Sequence, residues 1–380
     1  MLLKGGTVVD PSQGLHARKD VGLANGLVAR VDDDIPVATT RETLDVSGLI
    51  VAPGLVDLHV HVYEGVSHYG IDVDATCLAT GATTVLDLGS AGAQTFPGFR
   101  RHVIDVAHTR VYALLNLSTM GMVIPQVGEL EDLRAVDNAF TANVLRANRD
   151  VVLGIKLRLS RPLVGENGPA ALRLARELCD ELAVPLMVHP GDTTSSLGEI
   201  LDGLRAGDVL THAYHNRAEG TLDENGRVRS EVRAAAERGV LFDVGHGRGS
   251  FSWDVAERAI AQGFVANTIS SDLHVYNLHG PVFDLATTIS KFLHLGLSLD
   301  DALARATHFS ARAMGVDRLV GGLRGGMAGD VVAFALEDGR FELLDADDVP
   351  RTARQRLVPT VVVKGGVVVR RPHTPTGNPH

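Results

Sequence analysis

The feature that most constrains the fold is a regular alternation, from about residue 54 to residue 315, of short apolar runs with longer amphipathic stretches. Eight apolar runs can be marked, at residues 56–61, 83–88, 110–116, 151–159, 184–189, 208–212, 240–244 and 267–271. Nearly continuous apolar runs are typical of parallel strands covered on both faces, and eight such strands close a β/α barrel. Residues 169–183 show the apolar spacing of a covering helix. The sequence therefore predicts an α/β fold with a TIM-like (β/α)8 barrel.

The two ends of the chain differ from the middle. Both contain β-branched runs broken by glycine, which are typical of strands and turns. We expect residues 1–53 and 318–370 to form one small β-sandwich domain built from both termini. Residues 54–317 then form the barrel as an insertion, and residues 371–380 form a disordered tail.

Composition excludes several classes of protein. The formal net charge of −10 disfavours nucleic acid or an anionic membrane as partner, and two cysteines cannot build a disulfide framework. Apolar runs long enough for a membrane span and a secretory signal are not found, so a cytoplasmic location is expected. The expected partner is a small molecule, with a homo-oligomer left open.

Polar residues stand at the carboxyl ends of the eight runs, where barrel active sites form. They are mostly imidazoles and carboxylates, which a set of ordinary strand caps would not explain; in chain order they are His59 and His61, Asp87, Asn116, Lys156, His189, His212, Asp243 with nearby His246, and Asp272.

The spacing of His59 and His61 places both imidazoles on one face of a strand, which is how two nitrogens reach one cation. A histidine pair of this kind is weak evidence alone, because strand-end histidines also bond to backbone or water. His189 and His212 end two further runs, and a histidine in such a position, taken singly, is more often structural than a metal ligand. Asp272 ends the eighth run and could act as ligand, as base or as both.

Lys156 lies inside an apolar run, in a chain with only five lysines among its 36 basic residues. A buried ammonium is costly, and a neutral amine can add carbon dioxide to give a carbamate able to bridge two divalent cations. Arginine cannot take this role because it stays protonated. Pairing of Lys156 with an acid inside the barrel remains the alternative.

Taken together, these motifs resemble the amidohydrolase superfamily, in particular its binuclear, carboxylated-lysine subtype and the amidohydrolase/deacetylase branch related to dihydroorotase and hydantoinase. The resemblance spans nearly the whole chain. It rests on residues 51–57 (VAPGLVD), the His-x-His pair, the order of the ligands along the strands, and residues 271–274 (SDLH) followed by 280–293 (GPVFDLATTISKFL).

The resemblance implies two divalent metal ions, with zinc expected, and Lys156 carboxylated by CO₂ as the bridge. It implies one metal at His59, His61 and Asp272, and the other at His189 and His212. A metal-bridging hydroxide would attack an amide or ester, with Asp272 as general acid and base. The expected activity is deacetylase-like, the removal of a small acyl group from a small acid.

Substrate contacts are expected from residues that follow the strand ends. These candidates are Tyr63, His68, Tyr69, Asn216, Arg217, His246, Arg248, His274 and Asn277, and Arg158 is either an anion anchor or the partner of a barrel acid.

Three other functions stay open. A cyclic amidase of the dihydroorotase or hydantoinase kind is the first, although the arginine that usually follows His-x-His in dihydroorotase is replaced here by Val62-Tyr63-Glu64. A mononuclear deaminase is the second, although residues 189–192 read HPGD where such deaminases carry His-x-x-Glu. A scaffold without catalytic activity is the third, and the presence of all six candidate ligands disfavours it.

Overall fold

The computed structural model describes residues 1–369, so the predicted tail at 371–380 and the last residue of the predicted terminal domain lie outside the described residues. Fifteen strands are present in this part of the chain: β1 (Leu2–Asp10), β2 (Leu15–Ala24), β3 (Leu27–Asp32), β4 (Thr43–Asp45), β5 (Ile50–Pro53), β6 (Leu55–Val60), β7 (Ala82–Gly92), β8 (Arg110–Asn116), β9 (Val152–Arg158), β10 (Leu186–His189), β11 (Val209–Leu210), β12 (Leu241–Phe242), β13 (Val331–Leu344), β14 (Pro350–Lys364) and β15 (Val367–Val368).

Eleven α-helices lie in the same part of the chain: α1 (Val73–Thr76), α2 (Phe96–Phe99), α3 (Asn138–Ala147), α4 (Arg161–Val164), α5 (Gly168–Leu182), α6 (Leu197–Asp202), α7 (Ser230–Glu237), α8 (Trp253–Ala261), α9 (Leu285–His294), α10 (Leu299–Arg305) and α11 (His308–Ala313). Helix α5 matches the helix predicted over 169–183. It ends where Ala183 adopts a left-handed backbone conformation, with φ of 51°.

The barrel consists of seven parallel strands in the order β12-β11-β10-β9-β8-β7-β6, which confirms the predicted fold class. Strand registers align the candidate site residues: Lys156 on β9 is level with Asn116 on β8, and Arg158 is level with His189 on β10. The carboxyl ends of all these strands therefore meet at one rim of the barrel.

The eighth predicted run closes the barrel without forming a regular strand. Isolated parallel bridges join Asp243 to Thr268 on one side and Val60 to Leu273 on the other. The amide of Asp272 donates to the carbonyl of His59 at 2.8 Å. Asp272 itself has φ of 49°, a left-handed conformation that interrupts the strand ladder. His212 has φ of 64°, and β11 accordingly stops at Leu210, before the end predicted at 212.

The terminal segments form a separate eight-stranded sheet in the order β15-β14-β13-β5-β1-β2-β3, with β4 also paired to β1. Strand β13 pairs with β5, so the end of the chain is joined to its beginning through backbone hydrogen bonds. The sheet has its own apolar core, which includes Val8, Val51 and Val331. The exact domain limits of 53/54 and 317/318 stay predictions.

Gly54 connects the terminal sheet to the barrel. Its amide donates to the carbonyl of Asp330, and a Cβ atom at this position would lie 2.2 Å from the Thr83 hydroxyl oxygen. A side chain is therefore not tolerated here without a shift of β7. This close approach places the start of β6, and with it His59 and His61, directly after the terminal sheet.

Candidate metal centre

The candidate site is a cavity of about 350 Å³ at the carboxyl ends of the barrel strands. Its lining includes all six proposed ligands, which are His59, His61, Lys156, His189, His212 and Asp272. The fold therefore brings together residues that are as many as 213 positions apart in the chain.

His59 and His61 lie at the end of β6 and point toward the same carboxylate. The Nε2 atoms of His59 and His61 are 3.2 Å and 3.3 Å from Oδ1 of Asp272. On the outer side, Nδ1 of His59 is 3.0 Å from the Thr211 hydroxyl oxygen, and Nδ1 of His61 is 3.0 Å from the Ser90 hydroxyl oxygen. Each ring is thus fixed through one nitrogen and presents the other to the cavity.

The tautomer of His59 follows from its outer partner. The Thr211 hydroxyl donates its proton to Asp243, at 2.8 Å, and can only accept from Nδ1 of His59. Nδ1 of His59 therefore carries the proton, and Nε2 presents a lone pair to the cavity. Burial and the nearby positive charge of Lys156 hold the pKa of His59 well below its usual value, so the ring is neutral.

His212 shows the same arrangement. Its Nδ1 lies 2.7 Å from the carbonyl oxygen of Gly245, which can only accept, so Nδ1 is the donor and Nε2 carries a lone pair. This Nε2 is buried and lacks a hydrogen-bond partner within residues 1–369. The rings of His189 and His212 are 4.3 Å apart, and those of His59 and His212 are 5.0 Å apart.

Lys156 is 1% exposed, and its Nζ has no hydrogen-bond partner among the described residues. Burial lowers the pKa of Lys156 to about 7, so the neutral amine is accessible near neutral pH. Gly89 makes room for the side chain, because a Cβ atom there would lie 3.0 Å from Cβ of Lys156.

Asp272 is held by its backbone and leaves its carboxylate to the site. Asn277 donates its side-chain amide to the carbonyl of Asp272 at 2.7 Å, and Oδ1 is buried with no donor of a hydrogen bond in the described part of the chain. Burial raises the pKa of Asp272 to about 6. A carboxyl group with this pKa can exchange a proton near neutral pH.

These donors fit a divalent cation. His59, His212 and Asp272 each offer one ligand atom, and these three atoms lie within 4.8 Å of one another. The lone pairs on both imidazole nitrogens and the Asp272 carboxylate repel one another, because none of them carries a proton to donate. A cation among these atoms removes the repulsion and supplies the partner that the buried atoms lack.

Buried carboxylates behind the ligands form a supporting layer. Asp243 accepts from Thr211, Thr268 and Ser270 at 2.6–2.8 Å, and Asp57 accepts from the backbone amide and hydroxyl of Ser271. Burial raises the pKa of Asp57 to about 7. The strand-end position of Asp243 was visible in the sequence, whereas the supporting roles of Thr211 and Ser90 were not. For Thr211, the sequence gives one indication of a supporting role, which is its position directly before His212.

The proposed substrate residues divide into two groups. Tyr69, Arg217, Arg248, His274 and Arg158 line the cavity. The remaining candidates contact other partners. Tyr63 donates to the Thr95 carbonyl, Asn216 donates to Asp347, His246 contacts Lys291, and Asn277 donates to the carbonyl of Asp272. The ring of His68 lies 4.2 Å from that of Tyr69, tilted by 40°, and does not line the cavity.

Sequence reasoning missed several residues of this region, among them His215 and Glu129. His215 lines the cavity, and its Nδ1 accepts from the backbone amide of Arg217 at 3.0 Å. Burial lowers the pKa of His215 to about 4, so the ring is neutral at physiological pH. Glu129 lies beside Arg158, at 3.6 Å between Oε1 and Nε. It belongs to a loop without helical or strand periodicity, so no pattern pointed to it.

None of the helices within residues 1–369 is both long enough and apolar enough to cross a membrane.

The chain is similar to known proteins over most of its length. The amidohydrolase family model matches residues 50–368. A deacetylase from Agrobacterium fabrum is 33% identical over 332 residues, which are 87% of this chain and 81% of the relative. Crystal structures of an adenine deaminase and of a dihydroorotase superpose with TM-scores of 0.90 and 0.89. Their identities are 32% and 30%, and the matches cover 97% of this chain and 98% of each of theirs.

Both the terminal sheet and the barrel thus have counterparts in solved structures, and the candidate metal centre lies inside the region that the family model matches. The chain belongs to the amidohydrolase family and is a hydrolase that acts on C–N bonds.

Proposed function

We propose that this protein is a metal-dependent hydrolase that removes a small acyl group, such as acetyl, from an acyclic small molecule. The observation that carries the proposal is the set of unprotonated donors around Asp272: two imidazole lone pairs and a carboxylate that face one another in a buried cavity. The similarity to a deacetylase over 87% of the chain supports the choice of reaction.

In this proposal six of the residues that line the cavity would hold two divalent ions, with zinc expected. His59, His61 and Asp272 would hold one ion, His189 and His212 would hold the other, and a carboxylated Lys156 would bind both. The neutral amine that burial of Lys156 favours is the form that adds CO₂. The ions would lower the pKa of a water molecule and polarise the carbonyl of the substrate.

Asp272 moves the proton in this scheme. Its carboxylate accepts a proton from the attacking water and returns it to the leaving amine or alkoxide. The Asn277 contact holds the Asp272 backbone and leaves the carboxylate free to face the ligands.

A second candidate is hydrolysis of a cyclic amide. The similarity to a crystal structure of a dihydroorotase, at 30% identity, supports it. Arg158 on β9 lines the same cavity, whereas residues 62–64 supply no arginine directly after the His-x-His pair.

A matched substrate panel distinguishes the two candidates. Metal-loaded, bicarbonate-supplemented protein is assayed with N-acetyl amino acids, O-acetyl hydroxy acids, hydantoins and dihydroorotate. Asp272→Asn serves as the control for activity that arises elsewhere. We expect turnover of acetyl compounds that Asp272→Asn abolishes. Turnover of the rings alone would establish the cyclic amidase, and no turnover of either set would contradict both candidates.

A further inference from the structure

Arg158 is a buried cation in the wall of the cavity. It follows Lys156 by two residues on β9, so both side chains lie on the same face of the strand, and Arg158 is 7% exposed. Its guanidinium lies 5.5 Å from the centre of the Tyr69 ring, which also lines the cavity. Arginine keeps its proton in proteins, so this charge must be balanced by an anion.

Glu129 balances the charge of Arg158 only in part. The closest approach is 3.6 Å, between Oε1 of Glu129 and Nε of Arg158, and the side chains are 7% and 9% exposed. This distance is too long for a hydrogen bond. Both atoms are accordingly buried with no hydrogen-bond partner in residues 1–369. The guanidinium therefore retains the capacity to donate to a further anion.

The two other arginines of the cavity differ from Arg158. Arg217 donates to Asp192 at 3.0 Å, and Arg248 makes two hydrogen bonds to Asp348, at 3.1 Å and 2.7 Å. Their side chains are also more exposed, at 47% and 43%. Within the described part of the cavity, Arg158 is the arginine that is both buried and without a hydrogen-bonded carboxylate.

Glu129 does not occupy the place of a substrate. It is absent from the cavity lining and faces instead a neighbouring cleft that includes Met120, Ile124 and Val127. An anion in the cavity can therefore reach Arg158 while Glu129 stays in place. The carboxylate of Glu129 then weakens the attraction between Arg158 and any anion that binds.

We propose that Arg158 binds a carboxylate of the substrate and that Glu129 sets the strength of this interaction. This inference rests on the proposed function, because it assumes that the reacting bond lies at the metal centre. Planar carboxylates fit the donor fork of arginine with two parallel hydrogen bonds. The substrate is thus an acylated small acid, such as an N-acyl amino acid or an O-acyl hydroxy acid.

The test compares an acylated acid with its neutral primary amide, which has the same scissile bond. The variants are Arg158→Gln, Arg158→Lys and Glu129→Gln, with Arg134→Gln as control because that side chain is 91% exposed. We expect Arg158→Gln to lower kcat/KM for the acid about 10- to 100-fold and to change that for the amide less than about threefold. Arg158→Lys should restore part of the preference, and Glu129→Gln should increase it.

Calorimetric binding of the deacylated acid to the metal-loaded protein gives a readout that does not need turnover. Weaker binding in Arg158→Gln and tighter binding in Glu129→Gln, with equal metal content, supports the carboxylate site even if no substrate of the panel is hydrolysed. Equal losses for acid and amide, or an unchanged preference in Glu129→Gln, would overturn the inference while leaving the hydrolase proposal intact. Failure of wild-type turnover alone would count against the proposed function only.

Discussion

Oδ1 of Asp272 lies 3.2 Å from Nε2 of His59, and neither atom carries a proton that the other could accept. The proton of His59 is on Nδ1, which donates a hydrogen bond to the Thr211 hydroxyl oxygen. Asp272 is ionised above its pKa of about 6. Two facing electron-pair donors at this distance indicate a cation site.

Replacing Asp272 with asparagine removes the proton acceptor and keeps an oxygen that can contact a metal ion. We expect Asp272→Asn to retain its metal and to lose about 10²- to 10⁴-fold in kcat, the range typical of a general acid or base. Elemental analysis and steady-state kinetics measure the two quantities. Asp202→Asn, at a side chain that is 83% exposed, is the control. Turnover within a few-fold of wild type would refute the role of Asp272.

Lys156→Ala removes the proposed bridge between the two metal ions. We expect this variant to bind less metal and to be inactive, because no other described residue supplies an anion at the Nζ position. Short carboxylic acids such as propionate should restore part of the metal binding and part of the activity, since they place a carboxylate in the space left by the side chain. Lys19→Ala, in an ion pair with an exposed aspartate, is the control. Unchanged metal content in Lys156→Ala would contradict the carbamate.

Gly245 and Gly247 lie close to the proposed ligands. A Cβ atom on Gly245 would lie 2.4 Å from the Thr211 hydroxyl and 2.8 Å from Nδ1 of His212, and one on Gly247 would lie 2.4 Å from Oδ2 of Asp272. Both glycines have positive φ, at 46° and 55°. We expect Gly245→Ala to lower metal affinity about 10- to 100-fold, since it displaces the outer partners of two ligands.

Gly249→Ala is the matched control in the same loop, because its Cβ would meet only a side-chain nitrogen of Arg217, at 3.5 Å. Metal titration followed by fluorescence or calorimetry measures the affinities. Equal metal affinity in Gly245→Ala and Gly249→Ala would show that the close approach of Gly245 to Thr211 and His212 does not matter for metal binding.

The burial of Lys291 should make the free energy of unfolding depend on pH. Lys291 is fully buried and contacts Nε2 of His246 at 2.7 Å, and burial lowers its pKa from 10.5 to about 7. Between these two values the unfolded chain binds more protons than the folded chain, so the free energy of unfolding due to this group rises as the pH increases from about 7 to 10.5.

We therefore expect Lys291→Met to flatten this rise relative to wild type, and Lys19→Met to leave it unchanged. Urea unfolding at a series of pH values between 7 and 10 gives the difference in slope. A slope in Lys291→Met equal to that of wild type would show that the lysine is not held in the neutral form.

The sequence predicted the barrel and the gathering of its ligands because both depend on local patterns. Apolar runs and strand-end residues such as His189 and Lys156 are visible within a few positions, and the barrel topology then brings the strand ends together. The irregular end of the eighth run could not be predicted in this way, because Asp272 there has a left-handed conformation and its amide donates to the carbonyl of His59, which lies 213 positions earlier in the chain.

The environment of the ligands could not be predicted in the same way. His246 follows a strand end and was expected to contact the substrate, but its ring nitrogen faces Lys291, 45 residues further along. The pairing of Arg158 with Glu129 likewise depends on the course of an irregular loop. Contacts of this kind have no periodicity, so only the folded arrangement shows them.

Dependence on metal is tested most directly by a metal titration of the chelator-treated protein, with hydrolysis of an acetylated acid as the readout. We expect no turnover without metal, a rise that saturates at about two zinc ions per chain, and no rise in Lys156→Ala unless a short carboxylic acid is added. Full turnover of metal-free protein, confirmed by elemental analysis, would show that hydrolysis does not need the metal centre.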